Sequence, residues 1–279
     1  MPVTGRPGPA DPRGPRGRGV FTAMTFNVRR CLPAYPPRAP DAWFTRVPAV
    51  QAVLRAHRPG LLALQEVLPE QQHPVQDALG GSHVLLGGGR DAGGRGERCL
   101  LAVDTDRFGI ERWQQRWLSP TPEVVGSKRP GELWPRTAVC ADLVDRRTGV
   151  AWRAVATHLD PWPERSRLRQ LAVLQQLHLG RGGPLLLLGD MNAAAGRSRT
   201  WDAARAGGLR DVLPPGAPGT YHRYRDPGPR TPRLDWILCS GPVRVLDARV
   251  LTERPRGVWA SDHFPVLAAL EHDPAAPGR

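Results

Sequence analysis

Several apolar runs in this chain end abruptly in a polar side chain, and this pattern constrains the fold more than any other feature. In GPLLLLGDMN, four leucines and a glycine are followed by Asp190 and then by Asn192. LLALQEV brings Glu66 to the end of another apolar run, and VATH does the same for His158. Apolar runs of about four to eight residues are typical of buried strands. Because functional groups in α/β sheets gather where strands end, we expect these side chains to meet.

Helical and extended segments alternate along the chain, as in α/β proteins. Apolar residues at helical spacing predict helices over 43–57 and 164–179. The segments 137–145 and 150–159 predict an antiparallel pair that turns at RRTG. The other predicted strands are 20–28, 60–67, 98–105, 184–192, 233–241, 243–251 and the run that follows Ser261. Predicted loops, rich in glycine and proline, cover 87–96, 119–135 and 214–232.

The chain of 279 residues is long enough for one substantial core, and no linker divides it. We therefore predict a single domain over residues 20–272. Residues 1–19 are rich in proline, glycine and arginine and lack the apolar segment of a secretory signal, so they are predicted to be a disordered tail. An incorrectly assigned start codon is the alternative explanation for that stretch. Residues 273–279 are predicted to form a second, short tail.

The formal net charge of +13 is compatible with a polyanionic substrate, including nucleic acid. Composition offers a second explanation, because Lys128 is the sole lysine and arginine, alanine, glycine and proline are abundant, as in GC-rich coding sequences. No apolar run approaches the roughly 18 residues that span a bilayer. Together with the missing signal segment, these features predict a cytoplasmic protein, and we expect a monomer.

The cysteines Cys31, Cys99, Cys140 and Cys239 are far apart in sequence and form no CxxC pair. Their spacing therefore gives no indication of a zinc site. Buried free thiols are expected, with two disulfides as the alternative.

Each polar residue at a strand end has an ordinary explanation when it is taken alone. An asparagine after a strand is often a turn residue, and a Gly-Asp pair often caps a helix. Their order carries more information, because the chain presents TFN, QEV, THL, GDMN, LDW and SDHFPV in succession. That order resembles the endonuclease/exonuclease/phosphatase superfamily, which includes deoxyribonuclease I, abasic-site endonucleases, neutral sphingomyelinases and inositol-phosphate 5-phosphatases. The matching motifs run from residue 25 to residue 266.

The resemblance implies a four-layer α/β sandwich, in which two mixed β-sheets pack face to face with helices outside. It also implies hydrolysis of a phosphate ester with Mg²⁺ or Mn²⁺. GRDAGGRGE, WLSPTPEVVGS and ATHLDPWPERSRLRQ resemble a bacterial subgroup whose substrates are poorly defined. The DNA-inserting loops and the catalytic tyrosine of the abasic-site enzymes have no convincing counterpart here, and the extra motifs of the inositol-phosphate 5-phosphatases are not evident.

By resemblance, Glu66 is a metal ligand, Asn27 supplies a neutral amide oxygen beside it, and Asp262 also approaches the metal. Mg²⁺ prefers hard oxygen ligands and keeps several waters, so one or two carboxylates suffice. Asp190 is the matching residue that orients or deprotonates the attacking water, and Asn192 donates hydrogen bonds to a phosphoryl oxygen.

Two histidines complete the implied site. His263 faces the scissile phosphate, and Asp235 is the carboxylate that holds its ring in one tautomer. His158 resembles the second active-site histidine of the deoxyribonuclease I branch, and Glu97 is its candidate carboxylate.

Arg136 is a candidate contact to the substrate phosphate, with a solvated arginine at a strand start as the alternative. Arg29 and Arg90 are weaker candidates of the same kind. The motif set agrees with an active phosphoesterase, for which a phosphodiester is favoured and a small sugar or inositol phosphomonoester is the alternative. It also agrees with an inactive binding module on the same fold. Inactive relatives usually lose a metal or base position, whereas every such position is present here, so we expect an enzyme.

Overall fold

The computed structural model describes residues 17–31, 39–179 and 182–275. The two predicted tails lie mostly outside these ranges. Within them, Arg107 donates hydrogen bonds to the carbonyl oxygens of Gly19 and Val20 at 3.0 and 3.1 Å. The fold therefore fixes the backbone at residue 19, one residue before the predicted start of the domain at residue 20.

In one mixed sheet, an early strand and a late strand of the chain lie side by side. The strands are β1 Phe21–Asn27, β2 Leu61–Val67, β3 His83–Leu86, β4 Gly89–Asp91, β5 Arg95–Asp104, β12 Val243–Val250 and β13 Val266–His272. Their order is β12-β13-β1-β2-β5-β3, and β4 also pairs with β5. β1 runs parallel to β2 and antiparallel to β13, with Met24 opposite Leu267.

The other mixed sheet aligns three polar residues at one end. Its strands are β6 Phe108–Trp117, β7 Thr137–Asp145, β8 Ala151–His158, β9 Leu185–Asp190, β10 Arg210–Asp211 and β11 Asp235–Ser240. Their order is β10-β11-β9-β8-β7-β6. β8 and β9 are parallel, so His158 lies opposite Asp190, and the antiparallel β11 places Asp235 opposite Asp190 from the other side.

In the described ranges, four α-helices cover the outer faces of the sheets. They are α1 Trp43–His57, α2 Pro69–Leu79, α3 Glu164–Leu174 and α4 Arg199–Ala206. Along β2, Leu61 and Ala63 pack against the other sheet, whereas Leu62 and Leu64 pack in the cluster that includes α1 and α2. A strand buried on both faces needs a continuous apolar run. The two sheets and their outer helices form the predicted four-layer α/β sandwich.

Some elements differ from the sequence-based expectations. The sequence patterns do not predict α2, α4 or β6. The stretch 87–96, predicted as a loop, contains β4 and the start of β5. Its turn is possible because Gly93 and Gly94 adopt left-handed backbone angles, with φ of 73° and 71°. Helix α3 is shorter than predicted, because a π-helical turn replaces it over Gln175–Leu179.

None of the four cysteines forms a disulfide. Cys99, Cys140 and Cys239 are buried, as expected, whereas Cys31 is half-buried. Across the described ranges, no helix combines the length and the hydropathy that crossing a membrane would require.

Gly189 allows β8 and β9 to approach each other directly before Asp190. A Cβ atom at this position would lie 2.0 Å from the carbonyl oxygen of Thr157. Gly189→Ala should therefore lower the free energy of unfolding by about 1–3 kcal/mol, because the paired backbones must move apart. Urea denaturation measures this change. Gly81→Ala is the matched control, since its Cβ would meet no atom within 4 Å, and equal stability of the two variants would contradict this account.

Candidate active site

A cleft of about 410 Å³ opens at the strand ends of both sheets. The predicted site residues that line it are Arg29, Glu66, Arg90, Glu97, Arg136, His158, Asp190, Asn192, Asp262 and His263. Asn27 and Asp235 lie beneath the lining as fully buried side chains. They bond to Asp190 and His263, respectively. The structure thus brings together polar residues that are far apart in sequence.

The side-chain amide of Asn27 joins the two sheets beneath the cleft. Its Nδ2 donates to Oε1 of Glu66 and to Oδ2 of Asp190, both at 3.0 Å. Its Oδ1 accepts the backbone N–H of Arg29 at 2.9 Å. The amide oxygen that we predict to face a metal thus already accepts one backbone hydrogen bond, which leaves one lone pair for a cation. The structure adds a role that the sequence does not predict, because the amide nitrogen is a donor between two carboxylates.

Glu66 occupies an unusual backbone position at the end of β2. Its φ is 61°, and the pairing of β2 with β5 shifts register between Leu64 and Val67. A left-handed conformation in a non-glycine residue costs about 1–3 kcal/mol, which is typical of functional positions. Burial disfavours the charge of Glu66. The backbone N–H of Arg30, at 3.0 Å from Oε2, and the charge of Arg29 outweigh it and lower the Glu66 pKa.

Ser261 connects the segment that carries Asp262 to the end of β1. Its Oγ donates to the carbonyl oxygen of Asn27 at 2.7 Å and accepts the backbone N–H of His263 at 3.2 Å. Burial raises the pKa of Asp262, although His263 and Arg29 act in the opposite direction. No described residue donates a hydrogen bond to Oδ2 of Asp262, so this oxygen is available to a ligand in the cleft.

The donor set fits a hard divalent cation. Glu66 and Asp262 both present carboxylate oxygens to the cleft, and Mg²⁺ and Mn²⁺ prefer such ligands. A second group, formed by Asp190, Asp235 and His263, has ligand atoms within 4.8 Å of one another. That group fits a protonated imidazole better than a metal ion, because a ring nitrogen of His263 is already bonded to Asp235.

His263 lies between two buried carboxylates. Its Nδ1 is 2.8 Å from Oδ2 of Asp235, as expected from the motif match, and its Nε2 is 3.8 Å from Oδ2 of Asp190. Burial disfavours the charged ring, but the two carboxylates outweigh burial and raise the pKa of His263 well above 6.5. Burial, reinforced by the charge of Asp235, raises the pKa of Asp190 to about 7. The cluster can therefore hold and move a proton near neutral pH.

His158 has the opposite protonation behaviour. Burial, followed by the charges of Arg136 and Arg90, lowers the pKa of His158 well below 6.5, so the ring is neutral. Its Nε2 lies 3.0 Å from Nδ2 of Asn192, which also donates to the carbonyl oxygen of Leu159 at 2.9 Å. The amide hydrogens of Asn192 are therefore engaged. The predicted donation from Asn192 to a phosphoryl oxygen would require one of them to change partner.

The predicted pairing of Glu97 with His158 is not found. Oε1 of Glu97 accepts from Nη1 of Arg30 at 2.8 Å, and Oε2 accepts from Nη1 of Arg90 at 2.5 Å. Two guanidinium groups attract a carboxylate more strongly than a neutral imidazole does. Glu97 consequently orients two arginines in the cleft wall.

Arg136 is buried, which excludes the alternative of a solvated arginine. Its Nε lies 3.4 Å from Oδ1 of Asp160. Behind this pair, Oγ of Ser166 lies 3.0 Å from Oδ2 of Asp160 and 2.7 Å from Oε1 of Glu132. This buried polar chain holds Arg136 at the cleft from behind.

Sequence reasoning did not identify several residues of the cleft wall. The ring of Tyr221 stacks near that of His263, with centroids 4.7 Å apart, and the two backbones form an isolated bridge. In the sequence, Tyr221 belongs to the motif GTYHRY inside a predicted loop. A residue that pairs with a strand from a loop leaves no periodic pattern in the sequence. The other lining residues that were missed include Arg30, Trp134, Trp162 and Arg223.

The fold and the site together define a two-sheet α/β sandwich with carboxylates, histidines and arginines in one cleft. Residues 24–263 match the sequence model of the Endonuclease/Exonuclease/phosphatase family. The chain therefore belongs to the endonuclease/exonuclease/phosphatase family. No curated protein matches the chain.

Solved structures extend the comparison. An endonuclease/exonuclease/phosphatase family protein from Bacteroides thetaiotaomicron is 26% identical, with a TM-score of 0.82 over 91% of this chain and 98% of that one. The mannosyl-6-phosphatase of the same organism is 26% identical, with a TM-score of 0.80 over 90% and 99%. D. rerio TDP2, complexed with a single-strand DNA product, is 16% identical, with a TM-score of 0.68 over 90% and 99%. At that identity, the likeness to TDP2 shows the fold alone.

Asp235→Asn should lower the pKa of His263. The variant removes the nearest negative charge, and this charge favours the protonated ring whereas burial disfavours it. In the wild type, the raised pKa contributes stability that is fully present below pH 6.5 and declines as the pH rises through the raised value. NMR titration of the ring nitrogens of His263 in the wild type and the variant measures the shift. An unchanged His263 titration in the variant would show that Asp235 does not control this ring.

Proposed function

We propose that the protein hydrolyses a small phosphate ester with the help of Mg²⁺ or Mn²⁺. The observation that carries the proposal is the composition of the cleft. Groups that could bind a metal, act as a base and contact a phosphate line one cleft of about 410 Å³. A phosphate ester repels nucleophiles because it is anionic, so its hydrolysis needs positive charge and a prepared water.

Glu66 and Asp262 would hold the cation, and Asn27 would hold Glu66 in place from below. When bound, such a cation neutralises charge on the phosphate and on the leaving oxygen. The Asn27 amide also bonds Asp190, so the metal ligand and the proposed base share one hydrogen-bond donor. Their relative position is therefore set before any substrate binds.

Asp190 would orient the attacking water and accept its proton. Its carboxylate is held by Nδ2 of Asn27 and by the backbone N–H of Asn192, which lies 2.8 Å from Oδ1. A pKa of about 7 suits a base that works at neutral pH. His263, kept cationic by Asp235, would place its Nε2–H toward a phosphoryl oxygen and stabilise the charge that develops there.

The cleft favours a phosphomonoester of a small molecule. Its volume suits a phosphate with one attached ring rather than a long polymer. A monoester dianion carries more charge than a diester, and the lining contains five guanidinium groups that could contact it, four of which also pair with carboxylates. These belong to Arg29, Arg30, Arg90, Arg136 and Arg223. The similarity to a mannosyl-6-phosphatase supports a sugar phosphate. We therefore favour this alternative over the phosphodiester that the net charge suggested.

A substrate panel tests the proposal. Release of inorganic phosphate is measured from mannose 6-phosphate, glucose 6-phosphate and an inositol phosphate, beside cleavage of plasmid DNA, RNA and bis-p-nitrophenyl phosphate. Each reaction contains Mg²⁺, Mn²⁺ or EDTA. We expect phosphate release from a sugar phosphate that EDTA abolishes. Cleavage of diesters alone would replace the proposal with a phosphodiesterase, and no turnover would favour an inactive binding module.

Glu66→Gln should keep the fold, because the change is nearly isosteric, and should weaken Mn²⁺ binding by about tenfold or more, since a charged ligand is lost. Isothermal titration calorimetry measures the dissociation constant. Glu111→Gln, at an exposed position, is the matched control. If Glu66→Gln bound Mn²⁺ as tightly as the control, Glu66 would not be a ligand.

Asp190→Asn should reduce turnover by roughly 10²–10⁴-fold, the usual contribution of a positioned general base. In the wild type, turnover should fall as the pH drops through the ionisation of Asp190, at or below the pKa of about 7 because a bound cation favours the carboxylate. The variant should lose that pH dependence. Asp202→Asn, at an exposed position, controls for loss of charge. If the turnover of Asp190→Asn fell by only a few-fold, another residue would be the base, and His263 would be the next candidate.

A further inference from the structure

Arg29 lies beside both carboxylates to which the proposed function assigns metal binding. Its Nη1 is 3.8 Å from Oε2 of Glu66, and its Nε is 3.8 Å from Oδ2 of Asp262. These separations are too long for hydrogen bonds. The guanidinium of Arg29 therefore acts on the two carboxylates through its charge.

Other residues hold Arg29 in that place. Its Nε donates to Oδ1 of Asp41 at 3.2 Å, and its Nη2 donates to Oδ2 of Asp41 at 3.0 Å. The hydroxyl of Tyr224 donates to Oδ1 of Asp41 at 2.6 Å. The buried Arg46 donates to the carbonyl oxygens of Arg29 and Asp41 at 3.0 and 3.2 Å. The position of the guanidinium thus depends on Asp41 rather than on Glu66 or Asp262.

The charge of Arg29 is not fully cancelled by its partner. The guanidinium is permanently charged and lies 3.8 Å from an oxygen of each proposed metal ligand. Asp41, which binds Arg29, also lies 3.9 Å from Nε of the buried Arg46, so two guanidinium groups share its single negative charge. A divalent cation held by Glu66 and Asp262 would therefore lie close to a positive charge.

We infer that Arg29 is a fixed positive charge that weakens the binding of a divalent cation at this site. Its guanidinium would repel the cation that Glu66 and Asp262 hold a few ångströms away. The inference rests on the proposed metal-binding role of these carboxylates and extends it to a residue that opposes the binding.

The test is a titration of the EDTA-treated and dialysed protein with Mn²⁺, in which electron paramagnetic resonance measures the free ion. Arg29→Gln should bind Mn²⁺ about tenfold more tightly than the wild type, because a like charge a few ångströms away is removed. Arg29→Lys retains the charge and should bind Mn²⁺ with nearly wild-type affinity.

Arg55→Gln is the matched control, because it removes the same charge from an exposed arginine of α1 that is not part of the cleft lining. Its Mn²⁺ affinity should stay within a few-fold of the wild type. Circular dichroism establishes that each variant is folded, and Arg29→Met gives the same test if Arg29→Gln does not fold. Unchanged or weaker Mn²⁺ binding by the neutral variant would overturn the inference alone. A wild-type chain that binds no Mn²⁺ would overturn the proposed metal dependence itself.

Discussion

The amide of Asn27 provides the contact on which the arrangement of the site depends. It is part of β1 in one sheet, yet its Nδ2 bonds Asp190 at the end of β9 in the other sheet. The same nitrogen bonds Glu66, and the amide oxygen is engaged by the backbone of Arg29. All polar atoms of this buried side chain therefore have partners, which determines its orientation. A shift of one sheet against the other would break a buried hydrogen bond to a carboxylate, at a cost of a few kcal/mol.

Arg46 fixes the backbone of the segments that carry Arg29 and Asp262. Its guanidinium is fully buried and donates to the carbonyl oxygens of residues 28–30, Asp41 and Ala260. The segments after β1 and before β13 are irregular, so their backbone acceptors lack strand partners. A single planar cation with several donors satisfies many of them at once. The rigidity of Arg29 and Asp262 thus comes from a residue on α1 that does not reach the cleft.

The sequence predicts the meeting of Asp190, Asp235 and His263 because each follows or starts an apolar strand, and strand ends in such sheets lie together. It does not predict the partner of Glu97 or the direction of the Asn27 amide. Those details depend on competition among side chains from distant segments, where the strongest charge or the nearest donor prevails. Helix α2 is missed because Pro74 interrupts its pattern, although tertiary contacts stabilise the helix. Tyr221 is missed because it forms its backbone bridge to His263 from a loop, and loops have no periodic sequence pattern.

The place of β1 between β2 and β13 has a consequence for synthesis of the chain. On the ribosome, β1 emerges long before Val266–His272, so its edge toward β13 stays open while most of the polypeptide is made. An open apolar edge can pair with other chains, which makes the nascent protein vulnerable to aggregation. Asp262 and His263 emerge just ahead of β13. The cleft therefore takes its final form only when translation has passed β13, and a fragment that stops before residue 262 carries neither side chain.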